Sequence, residues 1–311
     1  MARPHPTDTL FAALVRPRHW PAWLGFGLMR LVSWLPLPAI WLLGAVVGTL
    51  LYLLHTGRRR VVRRNLARCF PSLAARARER LVRRQFRAFG QTLFDLGVAW
   101  WASRRRIERL VRFRHREHYD RALARGENVI LLAPHFLGLE IAGIRLSLER
   151  SMVTVFRHPD SVPMRLVMER GRGRFGLKLI EHNRPFTSLV RAVKAGTPLY
   201  YLPDQDAGRR HSVFAPFFGI PAATFTAPAR LAQMTDATVI VCVARQLPFG
   251  RGYEVEFQPP LKGFPVGNAL TDATRVNEAI EKAVRKHPAQ YFWMHKRFKT
   301  RPEGERNFYG K

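Results

Sequence analysis

The sequence predicts an α/β protein, a mainly parallel sheet with helices on both faces, preceded by an N-terminal membrane-anchoring helical segment. Three features lead there. Short runs of aliphatic and β-branched residues alternate with helical patterns between residues 128 and 244, an uncharged apolar stretch fills residues 31–54, and an amphipathic pattern spans residues 72–101. Strands separated by helices of this length pair in parallel, because each crossover helix packs back onto the sheet. With 311 residues, 47% hydrophobic and 24% charged, the chain has ample apolar material for a core, which excludes generic disorder.

Taken in order, residues 31–54 (LVSWLPLPAIWLLGAVVGTLLYLL) carry no charge, and 24 residues exceed the roughly 20 that cross a bilayer core. Pro36 and Pro38 interrupt the run, so the unbroken helix is expected to begin near Ala39, which leaves a spanning helix and a monotopic hairpin both open. The aromatic-rich residues 19–26 upstream suit a membrane interface. A cleaved signal peptide does not fit, because the apolar run is too long for one and Arg58, Arg59, Arg60, Arg63 and Arg64 stand where small residues would be needed. Arg3, Arg16, Arg18 and Arg30 precede the segment, but the heavier basic cluster lies on its C-terminal side, which places the remainder of the chain in the cytoplasm. Residues 1–57 therefore read as an anchor region and residues 58–311 as one cytoplasmic catalytic domain.

Within residues 72–101, Leu81, Phe86, Phe89, Leu93, Leu96 and Trp100 recur at helical steps, with Arg76, Arg80, Arg83, Arg84 and Arg87 on another face. Strands are expected over residues 128–133, 152–156, 177–180, 199–202 and 238–244, with helices after the first two and over residues 189–194. In such sheets the chemistry collects at the carboxyl ends of the strands.

Charge narrows the partner. Lys and Arg outnumber Asp and Glu 52 to 22, a net charge of +30, and residues 58–125 hold 21 Arg against five acids. Arg grips phosphate or carboxylate through paired hydrogen bonds, so this block suits a polyanion: nucleic acid, anionic lipid or an acidic carrier protein. Beside an apolar anchor, the lipid and carrier readings are favoured, and no nucleic-acid partner is expected. A membrane-tethered nucleic-acid-binding protein is the alternative from another class. The two cysteines, Cys69 and Cys242, lie far apart without a CxxC partner, which excludes a disulfide framework and a cysteine zinc site.

His135 stands just past the carboxyl end of the first expected strand, with Glu140 five residues on at the start of the next helix. A His there can take a proton from an attacking hydroxyl, and a carboxylate on its other ring nitrogen would fix the tautomer and stabilise the imidazolium. Positions i and i+5 of a helix lie about 140° apart, so the two meet only if His135 precedes the helix in a turn, which Pro134 favours. Gly171 to Gly176 spell GxGxxG, but after a helix and before a strand, the reverse of a dinucleotide fingerprint, so this is a helix stop. No GxSxG, HExxH or P-loop lysine occurs, and His115, His118, His158 and His182 lack metal-ligand spacing. Neither metal nor cofactor is expected. A greasy cleft beside His135 could be closed by Phe136, Leu137, Phe214, Phe217 or Phe218.

Four motifs now stand in one order: His135 with Glu140, YLPDQD at residues 201–206, SVFAPFFG at residues 212–219, and WMHKRFKTRPEG at residues 293–304. Together, and with the PRHW opening at residues 17–20, they resemble the late acyltransferases of lipid A biosynthesis over nearly the whole chain, and within that family the lauroyltransferase branch. The resemblance implies a glycerolipid-acyltransferase-like fold at the cytoplasmic face of the bacterial inner membrane. It implies transfer of a fatty acyl chain, lauroyl for this branch, from acyl carrier protein to a hydroxyl of a hydroxyacyl chain on a Kdo-bearing lipid A precursor, Kdo-lipid IVA. A related transferase using a myristoyl or palmitoleoyl chain, or another acceptor, is the near alternative. His135 and Glu140 match the family's catalytic pair, while Arg172 and Asp204 match positions the family needs. Arg174 and Asp206, close to them, join the substrate-binding set. Gln205 departs from relatives that carry His there. Independently of the resemblance, Arg172 suits an oxyanion or a phosphate, or the C-terminal dipole of a helix, and Asp204 suits a turn after a strand.

Overall fold

The computed structural model describes residues 16–210 and 212–310; Arg3 and the rest of residues 1–15, together with positions 211 and 311, lie outside it. The chain begins with helices α1 (Trp20–Val32), α2 (Leu37–Leu54), α3 (Thr56–Cys69), α4 (Ala75–Trp101) and α5 (Arg104–Leu110). Then come β1 (Val111–Arg114), α6 (Glu117–Ala124), β2 (Asn128–Leu132), α7 (Leu139–Ser147), β3 (Met152–Phe156), α8 (Val162–Gly173), β4 (Leu177–Glu181), α9 (Phe186–Lys194) and β5 (Leu199–Tyr201). A hairpin of β6 (Ser212–Phe217) and β7 (Ile220–Phe225) precedes α10 (Ala227–Thr235), β8 (Ala237–Gln246), β9 (Tyr253–Phe257) and α11 (Ala269–Lys286).

Seven strands form one sheet in the order β1-β9-β8-β2-β5-β3-β4. The five from β8 to β4 are parallel, and β9 runs antiparallel to β8. Alternate residues of β2 enter different cores: Val129 and Leu131 pack with Trp100 and Ile141 on one face, Ile130 and Leu132 with Leu66 and Ile280 on the other. Both faces are thus covered, as an apolar run without polar alternation requires. β1, β9 and the separate β6–β7 hairpin fall outside the expected strands.

Helix α4 joins the two cores. Leu81, Val82 and Phe86 belong to one, Val98, Ala99 and Trp100 to the other. Its middle carries α2, and the contact is backbone to backbone. A Cβ added at Gly90 would fall 2.1 Å from the Gly44 carbonyl oxygen, and one at Gly48 would fall 2.2 Å from that of Phe86. Only glycine permits this approach. The α1–α2 turn is tied down as well, because Arg106 of α5 donates to the Ser33 and Leu35 carbonyls.

Helix α2 begins at Leu37, two residues before the expected start, because Pro38 falls in the first turn, where no backbone N–H is needed. Its 18 residues are long and apolar enough to cross a membrane, with a mean hydropathy of 2.1. Trp20, Leu24, Leu28 and Leu31 of α1 and Leu42, Val46, Leu50 and Leu53 of α2 are exposed at helical spacing, so the hairpin presents apolar faces outward. Cys69 and Cys242 are buried free thiols.

Gly90→Ala forces α2 and α4 apart and is expected to destabilise the protein by about 3 kcal/mol. Gly27→Ala, where nothing lies within 4 Å of an added Cβ, should leave stability unchanged or slightly raised. Thermal unfolding of the two variants checks this.

Candidate active site

Strand register builds the centre of the site. β2 and β5 pair in parallel with Leu132 opposite Tyr201, and the Ala133 N–H donates to the Tyr201 carbonyl at 2.8 Å. Each strand then leaves the sheet into an irregular segment with proline at its centre, Ala133-Pro134-His135 on one side and Leu202-Pro203-Asp204 on the other. Residues three beyond the last ladder pair therefore meet. Asp204 accepts the His135 backbone N–H at 2.8 Å and the Nδ1–H at 2.7 Å.

Asp204 is buried, and burial alone would raise its pKa. The His135 charge and two hydrogen bonds from His135, with the Tyr291 hydroxyl as a smaller influence, outweigh that and hold it below the usual carboxylate range. Tyr291 is itself fixed from the other side, since a β-bridge joins it to Phe136. With Nδ1–H committed to a carboxylate, the neutral imidazole carries its lone pair on Nε2, which has no partner among the described residues.

Glu140 does not take part in that contact, contrary to the expected His135–Glu140 pairing. It is the second residue of α7, as expected, and His135 does precede the helix in a turn. Both His135 donors, however, already face Asp204, while Glu140 lies against α4 and α8. Its carboxylate accepts the Trp100 indole N–H at 2.7 Å and a bidentate grip from Arg172, Nε at 2.8 Å and Nη2 at 2.7 Å. Burial pushes Glu140 up, but the Arg172 charge, its hydrogen bonds and Trp100 hold it below the usual range. Arg172 Nη1 has no partner among the described residues. The close approach of α8 depends on Gly171, where a Cβ would fall 2.4 Å from the Trp100 ring.

The other two expected substrate residues have contacts of their own, although Asp206 lines the same cavity as His135 and Arg172. Arg174 donates to the carbonyls of Trp100 and Ala102 at 2.6 and 2.7 Å, satisfying acceptors left open where α4 ends. The Asp206 carboxylate accepts the Thr300 N–H at 3.1 Å and hydroxyl at 2.9 Å, which ties the C-terminal segment to the site. The Asp206 N–H donates to His295 Nε2 at 2.9 Å. Burial, then repulsion from His135, lowers the His295 pKa to about 4, so it is neutral and able to accept. Tyr291, His295 and Trp100 carry parts of the site that sequence reasoning did not assign.

His135 and Arg172 line a cavity of about 800 Å³ whose apolar wall includes Val155, Ile180, Phe186 and Leu189. Arg157, Arg184 and Arg230 also line it, and Gln205 lies beside His135 in its wall. None of the five residues expected to close the cleft forms this wall. Phe136, Leu137, Phe217 and Phe218 are buried in the core instead. Among the described residues, no group of three His, Cys, Asp or Glu could hold a metal ion.

Residues 11–300 match the family described as bacterial lipid A biosynthesis acyltransferase. The chain is 36% identical over 293 residues to the lipid A biosynthesis lauroyltransferase of Escherichia coli strain K12, covering 94% of this chain and 95% of that protein. It is 32% identical to the palmitoleoyltransferase of the same organism, over 95% and 96% of the two chains. To the myristoyltransferase it is 30% identical, over 93% and 90%.

Both carboxylates lie below their ordinary range in the folded state, so the stability they contribute is complete above about pH 4 and is lost as pH falls through their lower folded values. Glu140→Gln leaves Arg172 partly buried without a counter-ion and should cost roughly 3 kcal/mol near neutral pH. The double variant Glu140→Leu with Arg172→Met should recover most of that. Urea denaturation of the two variants near neutral pH, and of the wild-type protein as a function of pH, checks both expectations.

Proposed function

Because the chain belongs to the bacterial lipid A biosynthesis acyltransferase family, we propose that it transfers a fatty acyl chain, lauroyl foremost, from acyl carrier protein to a hydroxyl of a hydroxyacyl chain on Kdo-lipid IVA. The observation that carries the reading is His135, with Nδ1 anchored on buried Asp204, in the wall of a large cavity whose lining is both apolar and arginine-bearing. An amphiphile needs such a lining: aliphatic side chains for an acyl chain, guanidinium groups for phosphate or sugar-acid carboxylate.

In the proposed reaction the Nε2 lone pair of His135 takes the proton of the acceptor hydroxyl as its oxygen attacks the thioester carbonyl. Asp204 holds the ring and stabilises the imidazolium, the division of labour of a hydrolase triad. Arg172, held by Glu140, offers its free Nη1 to the tetrahedral oxyanion or to a substrate phosphate. Collapse breaks the carbon–sulfur bond, and the imidazolium returns the proton to the departing thiolate sulfur. Glu140 thus acts through Arg172 as a positioning residue. In this reading the cavity walls supplied by Ile180, Phe186 and Leu189 measure chain length.

The proposed attachment rests on the same features. The exposed apolar faces of α1 and α2 enter the bilayer, and the Arg-rich α3 and α4 meet anionic head groups and the acidic carrier on the cytoplasmic side. The boundary between anchor and catalytic domain is proposed at residue 57, at the start of α3.

Purified protein given acyl carrier protein loaded with chains of different length, together with Kdo-lipid IVA, should yield a product one acyl chain heavier by mass spectrometry, with dodecanoyl carrier used fastest. His135→Ala should lower kcat by on the order of 10⁶-fold, and Asp204→Asn by on the order of 10⁴-fold. Glu140→Gln should lower it about 10²-fold. Unchanged turnover in His135→Ala contradicts the mechanism, and no acyl transfer by the wild-type protein contradicts the assignment.

A further inference from the structure

A second cavity, of about 490 Å³, lies between α2, α4 and the carboxyl end of β8, and His135 does not line it. Its basic groups are Arg84 and Arg87 from α4, Arg245 from β8 and Lys286 at the end of α11. Two of these are already neutralised, Arg245 by Glu254 and Lys286 by Glu256, each at 2.7 Å. The surplus positive charge rests on the other two. Both are exposed. Arg84 has no partner among the described residues, and Arg87 meets only the Thr49 hydroxyl, at 3.3 Å.

The floor of this groove is unsatisfied in a specific way. Gln246 is 4% exposed, and its Nε2 is committed to Ala88 O, Thr92 Oγ1 and Asp95 Oδ2 at 3.1, 3.0 and 2.7 Å. Its Oε1 is buried with no partner. His287 Nε2, also in the lining, is buried without one as well. A buried acceptor left open costs about 1–3 kcal/mol, a cost that a hydroxyl donor reaching the floor of the groove would offset. The groove therefore fits a ligand that is anionic and carries an O–H.

The remaining wall says where such a ligand comes from. Trp41 and Ala45 of α2 line the groove, Trp41 packs on Phe249 at 5.2 Å, and Phe249 is exposed beside them. Leu42 and Val46, the next residues along α2, are exposed too. A head group seated between Arg84 and Arg87 would leave its fatty chains an apolar surface to run along. We propose that this groove binds the head group of an anionic phospholipid with free hydroxyls, of which phosphatidylglycerol is the representative. The phosphate sits on Arg84 and Arg87 and a glycerol hydroxyl donates to Gln246 Oε1. The inference rests on the membrane attachment proposed above and is independent of the acyl transfer.

The test uses the full chain and a soluble short-chain lipid, so neither vesicle insertion nor turnover enters the readout. Dihexanoyl phosphatidylglycerol should raise the thermal unfolding temperature saturably, whereas dihexanoyl phosphatidylcholine and inorganic phosphate at the same concentration should not. Arg84→Gln with Arg87→Gln should weaken that binding roughly 30-fold, about fivefold for each arginine. Arg105→Gln with Arg109→Gln removes the same charge from the exposed surface of α5, outside the groove, and should leave the affinity unchanged. The proposal is overturned if both double variants lose affinity equally, which is general electrostatics, or if phosphate alone reproduces the effect. It is also overturned if the groove variant keeps its lipid affinity and instead raises KM for acyl carrier protein. Because unfolding reports binding directly, an inactive enzyme that still binds the lipid separates failure of the acyl-transfer reading from failure of this one.

Discussion

The buried carboxylate of Asp204 against the His135 imidazole is the contact on which the rest of the site depends. A charge this deep persists only when its acceptor positions are used, and His135 supplies two donors, its backbone N–H and its Nδ1–H. Donors and acceptor come from two separate stretches of chain, after β2 and after β5, and the C-terminal segment bridges Phe136 beside them. The site thus forms only when the sheet order is complete. The same constraint orients the ring, because the ladder pair Leu132 and Tyr201 has already brought the two segments side by side.

A second charged pair sits on the other flank of the cavity and links it to the helical layer. Glu140 is held by Arg172 and Trp100, and Trp100 lies at the end of α4, the helix whose middle is locked to α2 through Gly44, Gly48 and Gly90. Arg174 closes the same end of α4 by capping its carbonyls. The apolar hairpin, the arginine-rich helix and the cavity are therefore one mechanical unit. A substrate with one end in a membrane and the other at His135 would meet a surface whose parts keep a fixed spacing.

The parallel centre of the fold is legible in the sequence because its strands are buried on both faces, and apolar runs such as residues 128–133 and 238–244 have no other soluble use. The edges are less so. In β9, Tyr253, Val255 and Phe257 are buried and alternate with Glu254 and Glu256, a period-two signal confined to five residues. The helical spacing of Ala273, Val276, Ile280 and Ala283 in α11 is a second signal of this kind, carried partly by small residues. At the site, the location of His135 after a strand and of Glu140 at a helix start can be read from the chain. Their partners cannot. Asp204 is 69 residues from His135, and only strand order decides that it, and not Glu140, reaches the ring. Arg172 at a helix end suits the helix dipole as well as a substrate, and nothing in its neighbours points to Glu140.

The central claim is that Asp204 accepts the Nδ1 proton of His135, and nuclear magnetic resonance of the ring proton tests it most directly. In protein labelled with ¹⁵N at histidine, the account predicts a downfield Nδ1–H resonance assigned to His135 that vanishes in Asp204→Asn and survives in Glu140→Gln. Loss of that resonance in Glu140→Gln, with its retention in Asp204→Asn, would contradict it.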